Sequence, residues 1–312
     1  MKKFLLTCGL FFVIFFLIDK GLILLRNSAP NREVDKRLEM ILNGKIQSDI
    51  LIYGSSRGGR DIIASDIADS LKVPAYNLSF PGSAIEFHEF LLSETLKNGN
   101  KKPSVVILDV DDLDELLPNS RINFRLDWLY PLIKYGVIRD KLVEKVGKNY
   151  WLSKLFVVHQ LSISNFDLRP KHFKPIDTLL ADGSMPINFK DPRFTGAFIN
   201  DTTLYDIKKE RPTEFNSFTR FVDLCNTNNI KLVIACPPNF YKPTVGFSDR
   251  IAGLVKDKAY MLIHDANQHD YSKDPDYYYD DVHLKKNGAK LFTAEIVDFI
   301  RKNNLVPGAT GR

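Results

Sequence analysis

The chain opens with an almost unbroken apolar run, Phe4 to Ile18, which Asp19 and Lys20 interrupt and Gly21 to Leu25 resume. The first stretch alone has the length of a signal-peptide core; the two together reach the ~20 residues needed to cross a bilayer. No small-x-small cleavage pattern follows, because the flank reads Leu24-Leu25-Arg26-Asn27-Ser28. An uncleaved anchor over residues 1–26 is therefore expected, with Lys20 snorkelling and Asp19 near an interface. Lys2 and Lys3 favour a cytoplasmic N-terminus and an extracytoplasmic main domain, against the weaker pull of Lys20 and Arg26. Residues 27–48 are polar and charged and read as a stalk, with Leu38, Met40, Ile41 and Leu42 on a short helix.

Beyond the stalk the pattern changes to short apolar runs alternating with helical spacing. Asp49 to Tyr53, Val73 to Phe80 and Val105 to Val110 read as buried strands. Between them, Ile62, Ile63, Ile67 and Leu71 mark a helix over 57–71, and a second follows over 84–96. The rhythm fades from 112 to 209, a stretch that holds Trp128 and Trp151 and a helix around 128–146; it reads as an inserted helical cap. It returns with a helix over 213–226, a strand over 231–236 that Pro237 and Pro238 end, a last strand over 260–264, and an amphipathic helix over 287–301. Strands alternating with helices predict an α/β domain over 49–304: a three-layer α/β/α sandwich around about five parallel strands in flavodoxin-like order. A short tail, 305–312, completes the chain.

Composition narrows the classes. Apolar residues make up 44% and charged residues 26%, which is ordinary for a globular protein and excludes bulk disorder. The net charge of +5 is spread along the chain rather than clustered, so a nucleic-acid surface is not expected. Cys8, Cys225 and Cys236 imply no disulfide framework, and no Cys/His spacing implies zinc or another cofactor.

Two motifs carry chemistry. In Ile52-Tyr53-Gly54-Ser55-Ser56-Arg57 a strand runs into a turn and a helix. Ser56 would sit at a strand's carboxyl end, where ligands bind in open α/β sheets and where orphan helix N–H groups favour negative charge. The plainer reading makes Ser55 or Ser56 a helix N-cap. In Asp280-Asp281-Val282-His283 an Asp three residues before a His can orient the imidazole so that its other nitrogen takes a serine proton. Loop histidines and paired aspartates are otherwise commonly just solvated. Asp281 is the competing partner for His283.

Together these motifs resemble the SGNH/GDSL hydrolase superfamily, in which the early Ser and the late Asp and His form a catalytic triad. The likeness extends to membrane-anchored members that work with membrane-bound O-acyltransferases, such as the D-alanyl transfer protein of teichoic-acid modification. It implies Ser56, Asp280 and His283 as the triad, no cofactor, and an acyl ester or cell-envelope glycan as substrate. Asn77-Leu78-Ser79-Phe80-Pro81-Gly82-Ser83 stands at the second conserved block. By resemblance, the N–H groups of Gly82 and Ser56 form an oxyanion hole, with Asn77 as a further donor; a plain turn glycine is the alternative for Gly82. The chain departs from the family in reading Gly-Ser-Ser for Gly-Asp-Ser. Its third strand also ends Asp109-Val110-Asp111-Asp112, where the family carries an oxyanion-binding Asn.

That departure keeps two rivals in play. One is a catalytically weak scaffold or binding subunit of an envelope acylation or export machine. The other is a metal-dependent phosphoryl or glycosyl enzyme built on Asp109, Asp111, Asp112, Asp114 and Glu115, although no phosphate loop accompanies them. Arg57 is expected to line the pocket and attract an anionic substrate, Arg60 to be solvated, and Trp128 to stack on a sugar ring or form the small core of a lid.

Overall fold

The computed structural model describes residues 1–112 and 115–306. Its helices are, in chain order, α1 (Lys2–Ser28), α2 (Arg37–Leu42), α3 (Ser56–Asp61), α4 (Ala64–Leu71), α5 (Ile85–Lys97) and α6 (Leu126–Leu129). There follow α7 (Gly136–Val146), α8 (Tyr150–Leu155), α9 (Val157–Gln160), α10 (Pro212–Thr227), α11 (Phe247–Val255) and α12 (Lys286–Lys302). The strands are β1 (Ile50–Tyr53), β2 (Ala75–Asn77), β3 (Val105–Asp109), β4 (Lys231–Cys236) and β5 (Tyr260–Ile263).

The chain divides into two compact units. Residues 40–124 and 173–306 form an α/β unit; Met1–Glu39 and Arg125–His172 form the other. The expected cap over 112–209 is thus split. Its middle joins the N-terminal segment, while its end belongs to the sheet unit, where Met185 N–H donates to Gly59 and Asn77 N–H to the Asp182 carbonyl. The stalk is split too, at Glu39. The tail from 307 onward lies outside the described residues.

All five strands are parallel, in the order β2-β1-β3-β4-β5, compatible with a flavodoxin-like fold. β1 and β3 are buried along their whole length, which is why their sequences are continuous apolar runs rather than alternating ones. Alternate residues face different layers. Ile50, Ile52, Val105 and Ile107 share a core with Ile67 of α4 and Phe292 and Ile296 of α12. Tyr53 points the other way, donating to Thr95 of α5 at 3.0 Å and packing edge-on against Phe221 of α10. This is the three-layer arrangement that the strand–helix rhythm implies.

The helix expected over 57–71 is two helices. Asn77 Nδ2 holds the Ile62 carbonyl at 3.0 Å, and Thr293 Oγ1 takes the Ile63 N–H at 3.0 Å. These side chains substitute for helical partners, so the backbone extends at Ile62–Ile63 and α4 restarts on a new axis. β2 begins only after Pro74, which has no N–H to give, and beyond its end Leu78 and Phe80 still donate to the Ile52 and Gly54 carbonyls at 2.7 and 3.0 Å.

In the first unit α1 runs 27 residues and is long and apolar enough to cross a membrane. Asp19 is its sole buried residue.

Candidate active site

The order of strands reverses between β1 and β3, the position in open α/β sheets where a crevice opens beyond the strands' carboxyl ends. β1 delivers Gly54 there. A Cβ on Gly54 would lie 2.6 Å from Asp109 Cβ, so only glycine lets the chain pass the end of β3. Asp109 is the reason for this closeness. Its Oδ2 accepts the Gly58 N–H at 2.7 Å, capping the first turn of α3. Burial pushes the Asp109 carboxyl up to about 7, against the opposing pull of Arg57. The acidic end of β3 is therefore the scaffold of the Gly54-Ser55-Ser56 turn, and Ser56, half-buried, begins α3.

His283 arrives from the other end of the chain on the loop before α12. That loop is pinned on both sides: Leu284 N–H donates to Asp61 Oδ1 at 2.9 Å, and the Asp281 carbonyl accepts the Phe240 N–H at 2.9 Å. The result is a relay. Ser56 Oγ lies 2.8 Å from His283 Nε2, and His283 Nδ1 lies 2.9 and 3.0 Å from the two Asp280 oxygens. Asp280, not Asp281, is the partner; its Oδ1 is also fixed by the N–H groups of Val282 at 2.9 Å and His283 at 2.8 Å. Those bonds and His283 hold the Asp280 carboxyl below its ordinary value despite burial.

Arg60 settles the tautomer. Its Nη1 stands 3.1 Å from His283 Nε2, while its Nη2 donates to Asp177 Oδ1 at 2.8 Å. A guanidinium only donates, so Nε2 must carry a lone pair and the ring proton must sit on Nδ1, facing Asp280. Burial, with the positive charge of Arg60, keeps the imidazole below its ordinary pKa although Asp280 pulls the other way. The single Nε2 lone pair thus faces two donors, the Ser56 hydroxyl at 2.8 Å and Arg60 Nη1 at 3.1 Å.

The remaining expected residues are placed as follows. Gly82 has φ of 70° in the turn after Pro81, a backbone state that favours glycine. Among the described residues no acceptor takes its N–H. Asn77 is corrected: its amide donates to the carbonyls of Gly58 at 2.8 Å and Ile62 at 3.0 Å, and its Oδ1 accepts the Ser79 N–H at 2.9 Å. Both amide protons are committed to holding α3 against β2, so it has none for an oxyanion.

Arg57 is also corrected. It is 2% exposed and bonds inward, to Asp111 at 3.0 Å and to the carbonyls of Pro237 and Pro238 at 2.8 and 3.0 Å. It does border a cavity, with Asp112, Pro238 and Tyr241, but that cavity is lined by neither Ser56 nor His283, and the guanidinium balances buried acids. Arg60, expected at the surface, is the buried neighbour of His283 instead. Trp128 belongs to the other unit, with the Arg125 guanidinium over its ring.

Among the described residues, the carboxylates of the acidic cluster have separate partners. Asp109 caps α3, Asp111 pairs with Arg57, and Asp112 accepts the Tyr241 hydroxyl at 2.7 Å and the Thr244 N–H at 2.8 Å. Asp114 lies outside the described residues. His264, His269 and Glu295 do approach within ligating range of one another, all within 4.8 Å. They form a bonded network with Tyr271 and Ser272: His264 Nδ1 to Glu295 at 2.9 Å, His264 Nε2 to Ser272 at 2.6 Å, and the Tyr271 hydroxyl to Glu295.

Sequence reasoning missed Arg60, Asp177 and Asp61. Arg60 left a signal, because it stands one helical turn after Ser56 and so shares its face. Asp177 and Asp61 left none; their partners lie 117 and 223 positions away. No family model matches this chain, and no curated protein does.

Proposed function

We propose that the protein is a membrane-anchored serine acyl-transfer enzyme of the SGNH/GDSL type. The observation that supports this reading above all is the Ser56–His283–Asp280 relay, with contacts of 2.8 and 2.9 Å. In the proposed reaction Ser56 Oγ attacks an acyl carbonyl carbon and its proton passes to His283 Nε2. The N–H groups of Ser56 and Gly82 hold the oxyanion. Collapse expels the leaving alcohol, which takes the proton from His283. Water or a glycan hydroxyl, deprotonated by the same nitrogen, then resolves the acyl-serine. Once His283 is charged, Arg60 becomes a like-charge neighbour and drives the proton on to the leaving group.

The apolar α1 supports anchoring, and Lys2 and Lys3 support an extracytoplasmic catalytic unit. Cell-envelope glycans are then the accessible acceptors, and a membrane-bound O-acyltransferase is the fitting partner by resemblance. Labelling of the full-length chain by a fluorophosphonate tests the reading: wild type should label, and S56A should not. Equal labelling of S56A would refute it.

A second reading, a weakly catalytic scaffold, is favoured by one observation. Asp109 stands at the end of β3 and supplies no proton to an oxyanion while ionised. Turnover of short aryl esters distinguishes the two: a scaffold gives neither turnover nor adduct.

A further inference from the structure

Asp19 breaks an otherwise apolar helix, yet it is 2% exposed in a helix whose other residues are open or half-open. Its cover is the α8–α9 pair of the same unit. Asp19 Oδ2 and Oδ1 accept the N–H groups of Val157 and Val158 at 3.0 and 2.8 Å. Lys20 Nζ bridges Asp19 at 3.0 Å and the Leu155 carbonyl at 2.5 Å. Phe156 packs edge-on against Phe15, with ring centroids 5.8 Å apart.

Length then decides the depth. The run from Phe4 to Ile18 rises ~22 Å, short of the ~30 Å hydrocarbon layer, whereas Phe4 to Leu25 rises ~33 Å. A span must therefore continue past Asp19, which places that carboxylate inside the hydrocarbon by about 8 Å. An unpaired charge at such depth is costly, and irregular backbone there is tolerated only when its polar groups are satisfied. Asp19, Lys20 and the ends of α8 and α9 satisfy one another, so the cover must lie as deep as the charge it covers. Phe15 is a further ~6 Å inward along the helix, and Phe156 follows it.

The outer face of the cover matches that environment. Trp151 is 75% exposed, Leu155 55%, Val158 47% and Leu152 43%. Tyr150 and Trp151 are adjacent aromatics, with Lys154 Nζ 4.4 Å above the Tyr150 ring, the composition of a membrane–water boundary.

We propose that α8 and α9 are immersed in the bilayer leaflet opposite the N-terminus, as a second lipid-contacting element clamped to α1 through Asp19 and Lys20. The occupant of the exposed face is phospholipid acyl chain. This rests on reading α1 as a membrane span.

The test uses the full-length chain carrying W128F, which leaves Trp151 as the sole tryptophan, reconstituted in phosphatidylcholine vesicles with or without bromine on the acyl chains. W128Y serves if W128F does not fold. The chain should float with the vesicles, and brominated lipid should remove more than half of the Trp151 emission. A chain that floats but keeps full emission, and whose Trp151 is quenched by aqueous iodide, overturns the immersion while leaving the anchor intact; a protein surface would then be the occupant. A chain that does not float overturns both. Fluorophosphonate labelling of Ser56 is read separately and is independent of either result.

Discussion

Arg60→Gln should move the acid limb of the labelling reaction to higher pH. In the wild type the guanidinium lies 3.1 Å from the nitrogen that must accept the proton, so charging His283 places two cations side by side. At an effective dielectric of about 20, two unit charges at that spacing repel by about 5 kcal/mol. Asp177, 2.8 Å from the other guanidinium nitrogen, cancels much of this field. The sign follows from the group removed: losing a nearby cation favours the imidazolium, so the depressed His283 pKa rises. The neutral, reactive fraction then falls first at low pH. The pH dependence of the fluorophosphonate labelling rate should show its acid midpoint at higher pH in R60Q than in the wild type, with the alkaline plateau changed less than the rate on the acid limb. A midpoint that stays put, or moves down, would refute the role of Arg60 as a cation that, with burial, holds the His283 pKa down.

Three further outcomes follow from the same geometry. D280N should lower the labelling rate on the order of 10³-fold or more by reversing the preferred tautomer, whereas D281N, whose role is carried by its backbone carbonyl, should stay within a few-fold. G54A should cost about 1–3 kcal/mol in chemical unfolding, since its Cβ would meet Asp109 Cβ at 2.6 Å; unchanged stability would show that β1 and β3 can separate freely. His88, fully buried with its Nε2 2.7 Å from Ser83 Oγ, has its pKa pushed down to about 3 by desolvation. Its folded pKa lies below the unfolded value, so stability is present above about 6.5 and is lost as pH falls from there, by at most about 1.4 kcal/mol per unit. H88Q should flatten the decline measured by unfolding between pH 6 and pH 4.

The sheet and the relay were legible because each is written locally. β1, β3 and β4 are continuous apolar runs with no competing helical spacing, and Gly54-Ser55-Ser56 and Asp280-Asp281-Val282-His283 each hold their chemistry within a few positions. What escaped was written between distant segments. The break after α3 depends on Asn77 and Thr293 reaching the Ile62 carbonyl and the Ile63 N–H, and no propensity at Ile62 or Ile63 reveals that. Asn77 was misassigned for the same reason, since its amide looks free until Gly58 and Ile62 are placed beside it. Arg57 and Arg60 are three residues apart on one short helix, and both are buried, Arg60 rather than Arg57 being the one beside His283. Helical phase orders them, but only the positions of Asp111 and His283 show which one faces the nucleophile.

Ser56 and His283 are 227 residues apart, and Asp61 joins their segments only after Leu284 exists. A ribosome adding ~5–20 residues per second needs on the order of 10–45 s to pass from one to the other. Throughout that interval the nascent polypeptide carries Ser56 as an ordinary hydroxyl with nothing to deprotonate it. A product that stops before position 283 lacks the imidazole that lies 2.8 Å from Ser56 Oγ, so on the proposed function such a product would show no fluorophosphonate labelling.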